Sequence, residues 1–275
     1  MSAQVTFTLD LEDHRPDNRL PIRYPEITDR ILGFLEERGI KATIFTVGKL
    51  AESNPELIKR IHHLGHEVAH HSYDHTPIDK QSAQVFRETT KKAKNIIEDI
   101  IGAPVSGYRA PIFSLTKQTS WAIDILKELG FSYSSSTLPI ANPLYGFPGI
   151  PTSPFKWKNG LIEIPAPIAK VGPLSLPYLG GFYFRYTPFA LIKKQAGKAD
   201  GNDVLWTYCH PYDFDPEEKN WRINGASIPV SLLLWFNRGN TFDKLEKLSE
   251  SFSFSEPFKD LKFSEKLQVI DPSTL

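Results

Sequence analysis

The sequence predicts an α/β protein built on a parallel sheet or barrel, and three observations carry that expectation. Short β-branched or aromatic runs alternate with segments whose apolar residues recur at helical spacing. Glycines stand where the helical segments stop. The strand–helix order repeats four times within the first 135 residues. Val5–Leu9 alternates and runs into an acidic cluster, as a first strand with polar groups at its carboxyl end. Ile27, Ile31, Phe34 and Leu35 mark a helix that Gly39 ends, and Ala42–Val47 reads as a buried strand closed by Gly48. Asn54 is placed to cap a helix with Pro55 in its first turn, ended by Gly65. Glu67–Ala69 is a short strand. Val85, Phe86, Thr89, Ala93, Ile96, Ile97 and Ile100 trace a long amphipathic helix up to Gly102. Ser106–Tyr108 is a strand and Trp121–Leu129 a helix stopped by Gly130. Prolines and the paired Gly180 and Gly181 then break the rhythm, predicting an irregular insertion over about 136–186 with a short strand at Leu161–Ile164. A helix from near Pro188, a buried strand Val204–Cys209, a last helix Phe242–Leu248 and a tail over about 254–275 complete the reading. With no repeat, low-complexity tract or linker, residues 1–275 read as a single domain.

Composition narrows the function classes. The 275 residues are 40% hydrophobic, enough for a sizeable core, which excludes a mainly disordered chain. Lys plus Arg and Asp plus Glu both number 32, so no strong global field draws nucleic acid. The single Cys209 cannot close an intramolecular disulfide. The opening ten residues lack the charged start and apolar run of a secretory signal, and no stretch of about 18 apolar residues could span a bilayer. A cytoplasmic protein is the expectation.

Polar residues cluster where strands end, the place parallel α/β folds reserve for chemistry. The clusters are Asp10-Leu11-Glu12-Asp13, His70-His71-Ser72-Tyr73-Asp74-His75, Arg109-Ala110-Pro111 and His210-Pro211-Tyr212-Asp213. Six of the eight histidines fall between 62 and 75. The spacing of His71 and His75 lets two imidazoles converge on one metal, with a carboxylate from the first cluster as third ligand. Two histidines and one carboxylate leave coordination positions open, as in catalytic sites. His62 and His66 share the spacing but end a polar helix, where a solvated role suffices. Trp206 and Cys209 read as core.

The segment Gly65-His66-Glu67-Val68-Ala69-His70-His71-Ser72-Tyr73-Asp74-His75 resembles the second motif of the polysaccharide deacetylases, the NodB-homology group or carbohydrate esterase family 4. Thr8-Leu9-Asp10 with Glu12-Asp13 is similar to the family's first motif, Tyr108-Arg109-Ala110-Pro111 to its third, and Ala42–Gly48 to its second-strand phrase. The resemblance spans roughly residues 5–135 and 203–253, and Gly180–Arg185 and Cys209-His210-Pro211 look like a bacterial branch found near exopolysaccharide loci. It implies a distorted (β/α) barrel of about seven parallel strands. The implied activity is hydrolysis of N-acetyl groups on an amino sugar, with an acetylated carbohydrate or sugar conjugate as partner and no nucleic acid.

The resemblance also implies roles. One divalent metal ion, Zn²⁺ first and Co²⁺ or Ni²⁺ as substitutes, is expected on His71, His75 and an aspartate. Asp10 would be the general base, held ionised and aimed by Arg109, and His210 the acid that protonates the leaving amine. A backbone N–H just after Pro111, at Ile112, would meet the oxyanion, and Tyr208 would line the acyl pocket. The family's metal-binding Asp directly follows the base, but here Leu11 follows. Asp13 is favoured as the third ligand because a short carboxylate suits a tight turn, and Glu12 is the alternative if the strand continues. Ser134-Ser135-Ser136 stands where the family has an Asp–Trp motif, which leaves the partner of Arg109 open. Trp157, Tyr178, Phe182, Tyr183 and Trp221 are candidates to stack on sugar rings, with packing as the alternative. Competing readings are an amidase acting on a small non-sugar amide or cyclic ureide, against which Asp10 argues, and a catalytically silent carbohydrate-binding protein.

Overall fold

The structure, a computed structural model, describes residues 4–17, 19–171, 174–200, 203–219, 221, 228–263 and 266–275. The first half follows the expected alternation. Strands β1 (Gln4–Leu11), β2 (Ala42–Thr46), β3 (Glu67–His70), β4 (Gly107–Tyr108) and β5 (Tyr133–Ser134) pair in parallel and in chain order. Between them lie α1 (Tyr24–Glu37), α2 (Gly48–Ser53), α3 (Pro55–His63), α4 (Ala83–Ile101) and α5 (Trp121–Glu128). Local chemistry sets the helix ends. Asn54 Oδ1 accepts the Leu57 N–H and Ser82 Oγ accepts the Val85 N–H, each satisfying a donor that a helix start leaves free. Gly102 closes α4 at φ 66°, a left-handed conformation that costs glycine nothing.

The second half adds β6 (Phe155–Trp157), β7 (Ile162–Glu163), β8 (Ile168–Val171), β9 (Leu174–Pro177), β10 (Leu205–Trp206), β11 (Ser253–Phe254) and β12 (Val269–Ile270). Its helices are α6 (Gly181–Tyr186), α7 (Phe189–Ala196), α8 (Ile228–Trp235) and α9 (Thr241–Ser251). The main sheet runs β10-β1-β2-β3-β4-β5-β7-β6-β12, with β11 also on β1, and it curls into a half barrel. Pairing is parallel except between β6 and β7, while β8 and β9 form a separate antiparallel pair.

The stretch read as an irregular insertion holds the strand expected at Leu161–Ile164, as β7, and adds β6 to the main sheet, while the expected tail adds β12. Strands of two or three residues show no period, and β12 finds its partner more than 100 residues away, as in Lys158 N–H to Ile270 O at 2.9 Å. The strand expected over Val204–Cys209 is regular only at Leu205–Trp206, with Cys209 making an isolated bridge to Leu9.

Alternation along β1 divides the interior. Val5, Phe7, Leu9 and Leu11 are fully buried in the core that also takes Ile27, Ile31 and Leu35 of α1 and Phe86 and Ile97 of α4. Thr6, Thr8 and Asp10 take the other face, where Phe45, Tyr133, Trp206, Tyr208 and Phe258 form a second cluster. Among the described residues no helix is long and apolar enough to cross a membrane.

Candidate active site

β1 runs two residues past its expected end, so alternation carries Asp10 and Glu12 to the same face. Glu12 Oε2 lies 2.6 Å from His75 Nε2, and ligand atoms of Glu12, His71 and His75 all fall within 4.8 Å of one another. Asp13 is exposed and turned into a bidentate pair with Arg15 at 2.9 and 2.6 Å. The expectation that Asp13 completes the cluster is therefore corrected to Glu12. The turn after β3 presents the histidines. His75 and Ser72 adopt left-handed φ of 62° and 63°, and the His75 N–H donates to Ser72 Oγ at 2.8 Å. His70 braces this turn from beneath, accepting the Ser72 N–H at Nδ1 and donating from Nε2 to Thr90 O. Burial pushes the His70 imidazole down to about 3, so it braces the turn as a neutral ring. His66 is likewise buried and accepts the Ala42 N–H at 3.1 Å.

The donor set fits a divalent cation. His71 Nδ1 donates to Arg109 O at 2.9 Å, which leaves the Nε2 lone pair free. Burial pushes His71 down to about 4, outweighing the nearby Asp10 and Glu12 carboxylates, so the ring is in its ligand form. Burial disfavours the Glu12 carboxylate, but His75 and His210 outweigh it and hold the group well below the usual carboxylate range. Burial lowers His75, yet Glu12 prevails and raises it, which favours a proton shared with Glu12 at the place a cation would take.

Arg109 is fully buried at the end of β4, sandwiched between the rings of Phe45 and Trp206 at 3.8 and 4.2 Å. Its Nη1 donates to Asp10 Oδ1 at 2.5 Å and to Thr8 Oγ1 at 2.8 Å. Its other side donates to Ser135 O at 3.2 Å and Ser135 Oγ at 3.0 Å. Ser135 is thus the partner that the sequence left open, a hydroxyl and a carbonyl where a carboxylate was sought.

His210 follows β10 and closes the site from the second half. Its Nε2 lies 3.9 Å from Asp10 Oδ2 and 3.8 Å from Glu12 Oε1. Its Nδ1 is 2.9 Å from Asp213 Oδ2, which also accepts the His210 N–H. The ring stacks on Tyr212 at 4.7 Å. Burial works against the imidazolium, but Asp213 and the Glu12 and Asp10 carboxylates prevail and push His210 up to about 9. Arg185 Nε stands 3.0 Å from Asp213 Oδ1, and both side chains are fully buried. The sequence places Asp213 in the His210 cluster and Arg185 in the Gly180–Arg185 phrase but gives neither a role. The available signal was a carboxylate three residues after His210, a spacing that lets one short turn bond both backbone and ring.

These groups open on a cavity of about 1040 Å³. Pro111 starts one wall, where Ile112 and Phe113 adopt φ of 55° and 56°. A β-branched residue in that region is strained, and such strain persists where the surrounding structure enforces it. Tyr208 is buried with its ring edge-on to Phe113 at 5.1 Å. Phe182, Tyr183 and Trp221 line the cavity, whereas Trp157 is fully buried against Phe155 and Tyr178 is buried outside the lining. Gly180 lies so close to β10 that an added Cβ would sit 2.3 Å from Tyr208 O. Gly180→Ala is expected to lower stability by about 1–3 kcal/mol in urea unfolding, the usual cost of overpacking.

Fold and site together define an α/β half-barrel protein with a histidine–carboxylate cluster at the carboxyl ends of its strands. Residues 7–134 match the polysaccharide deacetylase family, and residues 135–260 match a domain of unknown function, DUF3473. That first segment, a little under half of the chain, is a polysaccharide deacetylase domain. It is 32% identical over 100 residues to a peptidoglycan-N-acetylglucosamine deacetylase of Bacillus cereus, covering 36% of this chain and 36% of that protein. The matched stretch is 21% of the corresponding Listeria monocytogenes enzyme, so the chain spans about a third or a fifth of these relatives. Its fold is similar to a family 4 carbohydrate esterase from Streptomyces lividans, with a TM-score of 0.50, 15% identity and 92% of each chain covered. A family 4 pseudoenzyme from Bacillus anthracis gives a TM-score of 0.54 at 15% identity, over 94% of this chain and 65% of that one.

Proposed function

We propose that this protein hydrolyses the N-acetyl group of an amino sugar in a carbohydrate or sugar conjugate, using both halves of the chain as one catalytic unit. The observation that carries the reading is the convergence of Glu12, His71 and His75 beside Asp10 and His210, whose Nε2 reaches within 3.9 Å of Asp10. Glu12, His71 and His75 would hold one divalent cation, with Zn²⁺ first and Co²⁺ or Ni²⁺ able to take the same donors. When bound, the cation supplies Lewis-acid polarisation of the amide carbonyl.

The remaining work falls to the chain itself. Asp10 accepts the proton of the attacking water, and Arg109 fixes its orientation through the 2.5 Å contact. His210 enters protonated, with Nδ1 committed to Asp213 and Nε2 open toward the site. Its proton passes to the departing nitrogen, which leaves readily only as an amine. The Ile112 N–H on the cavity wall is the proposed donor to the oxyanion, and Tyr208 closes the acyl side to a small group.

Elemental analysis checks the ligand set. Glu12→Ala, His71→Ala and His75→Ala are expected to lose the metal that the wild type and Asp13→Ala retain. Equal metal in all five proteins would remove the site. Acetate release from a panel of N-acetylated sugars tests the activity, and metal retention without acetate would favour a carbohydrate-binding role.

A further inference from the structure

We propose that the substrate is a neutral amphiphile, an N-acetyl amino sugar bearing an apolar aglycone, and not a sugar pyrophosphate. This deepens the deacetylase reading and depends on it. The cavity of about 1040 Å³ reaches the upper end of the range for ligand clefts. Beyond the reacting groups its wall is aliphatic as well as aromatic, with Ile112, Leu138, Leu144 and Leu234 beside Phe182 and Trp221. Sugar hydroxyls desolvated against leucine and isoleucine lose hydrogen bonds without replacement, whereas an alkyl chain gains from the same contact. Leu144, Ile112 and Phe182 are 67%, 46% and 37% exposed, apolar surface that a bound chain would cover.

Charge argues in the same direction. Among the described residues lining the cavity there is no lysine or arginine, Asp10 and Glu12 are acidic, and the cationic His210 is paired with Asp213 and turned to the reacting groups. Arg109 and Arg185 lie fully buried, each against a carboxylate, Asp10 and Asp213. The adjoining groove shares Glu12 and His75 and holds Arg15 and Lys49, but these pair with Asp13 and Asp74. A pyrophosphate is bound by unpaired arginine or lysine, or by a helix N-terminus, to offset its charge. The one cavity lined by His210, Ile112, Leu144 and Leu234 instead suits a substituent without charge.

The test measures acetate release by the Zn²⁺-loaded protein from methyl, butyl and octyl glycosides of N-acetylglucosamine below their micelle concentrations. The N-acetylated chitin tetramer and UDP-N-acetylglucosamine are run beside them. kcat/KM is expected to rise about tenfold or more from methyl to octyl, given what buried methylenes contribute. The tetramer and the nucleotide sugar should fall below the octyl glycoside. Leu144→Gln and Leu234→Gln together should shrink the octyl-to-methyl ratio, with a thermal melt confirming that the variant folds. Acetate from the methyl glycoside or tetramer with no gain for octyl overturns this proposal and leaves the deacetylase reading standing. A gain unchanged in the double variant overturns the assigned wall. No acetate from any substrate overturns the deacetylase reading, and this proposal with it.

Discussion

Asp10→Asn is expected to release acetate about 10²–10⁴-fold more slowly than the wild type while holding the same metal content. The amide preserves shape but cannot take up the proton of the attacking water, and general base catalysis is worth about that factor. The ligand cluster is Glu12, His71 and His75, so Asp10 is not needed to retain the cation. The same change leaves the buried Arg109 without its counter-ion, and breaking a buried pair costs about 3–5 kcal/mol. A thermal melt and metal analysis on the assayed sample therefore separate lost chemistry from lost fold. A folded, metal-loaded Asp10→Asn with wild-type rate would remove Asp10 from the base role.

His210→Ala is expected to keep the metal and lose most of the activity, because nothing then protonates the departing amine. Its loss should not multiply with that of Asp10→Asn in the double variant, since both groups serve one transition state. The wild-type rate should fall as pH rises through about 9, where His210 gives up its proton. The same shift bears on stability. The folded-state value lies above the ordinary histidine value, so the stabilisation is full at low pH and is lost as pH rises from about 6.5 through about 9. Asp213→Asn removes the strongest group favouring the imidazolium, so the alkaline limb should move to lower pH. A cation on Glu12 lowers both limbs, and the displacement between wild type and variant is the quantity to read. An unmoved limb in Asp213→Asn would exclude Asp213 as the positioning residue of His210.

The alternation of β1 shows where sequence reading ends. It places Asp10 opposite Leu9 and Leu11, but whether Glu12 follows depends on where the strand stops. Pairing decides that, because Leu11 remains in register with Thr46 of β2. Asp13 then falls past the strand and finds Arg15. Arg109 illustrates the same limit. Its motif marks it, but Ser135 as its partner emerges only when β4 and β5 lie side by side. α8, apolar but for Ser231, has no period to reveal it, and β12 acquires its identity only at the edge of β6.

By itself the sequence determined the strand–helix order of the first half, the capped helix ends and the His71–His75 pair. All of these depend on neighbours a few residues away, through side-chain alternation, helical period and capping bonds. Only the tertiary structure decided that Glu12 joins the histidines, that Arg185 stands behind Asp213, and that the cavity wall is apolar. Those facts depend on pairings between residues far apart in the chain. Such contacts are set by how the sheet curls and packs, which no local pattern of residues encodes.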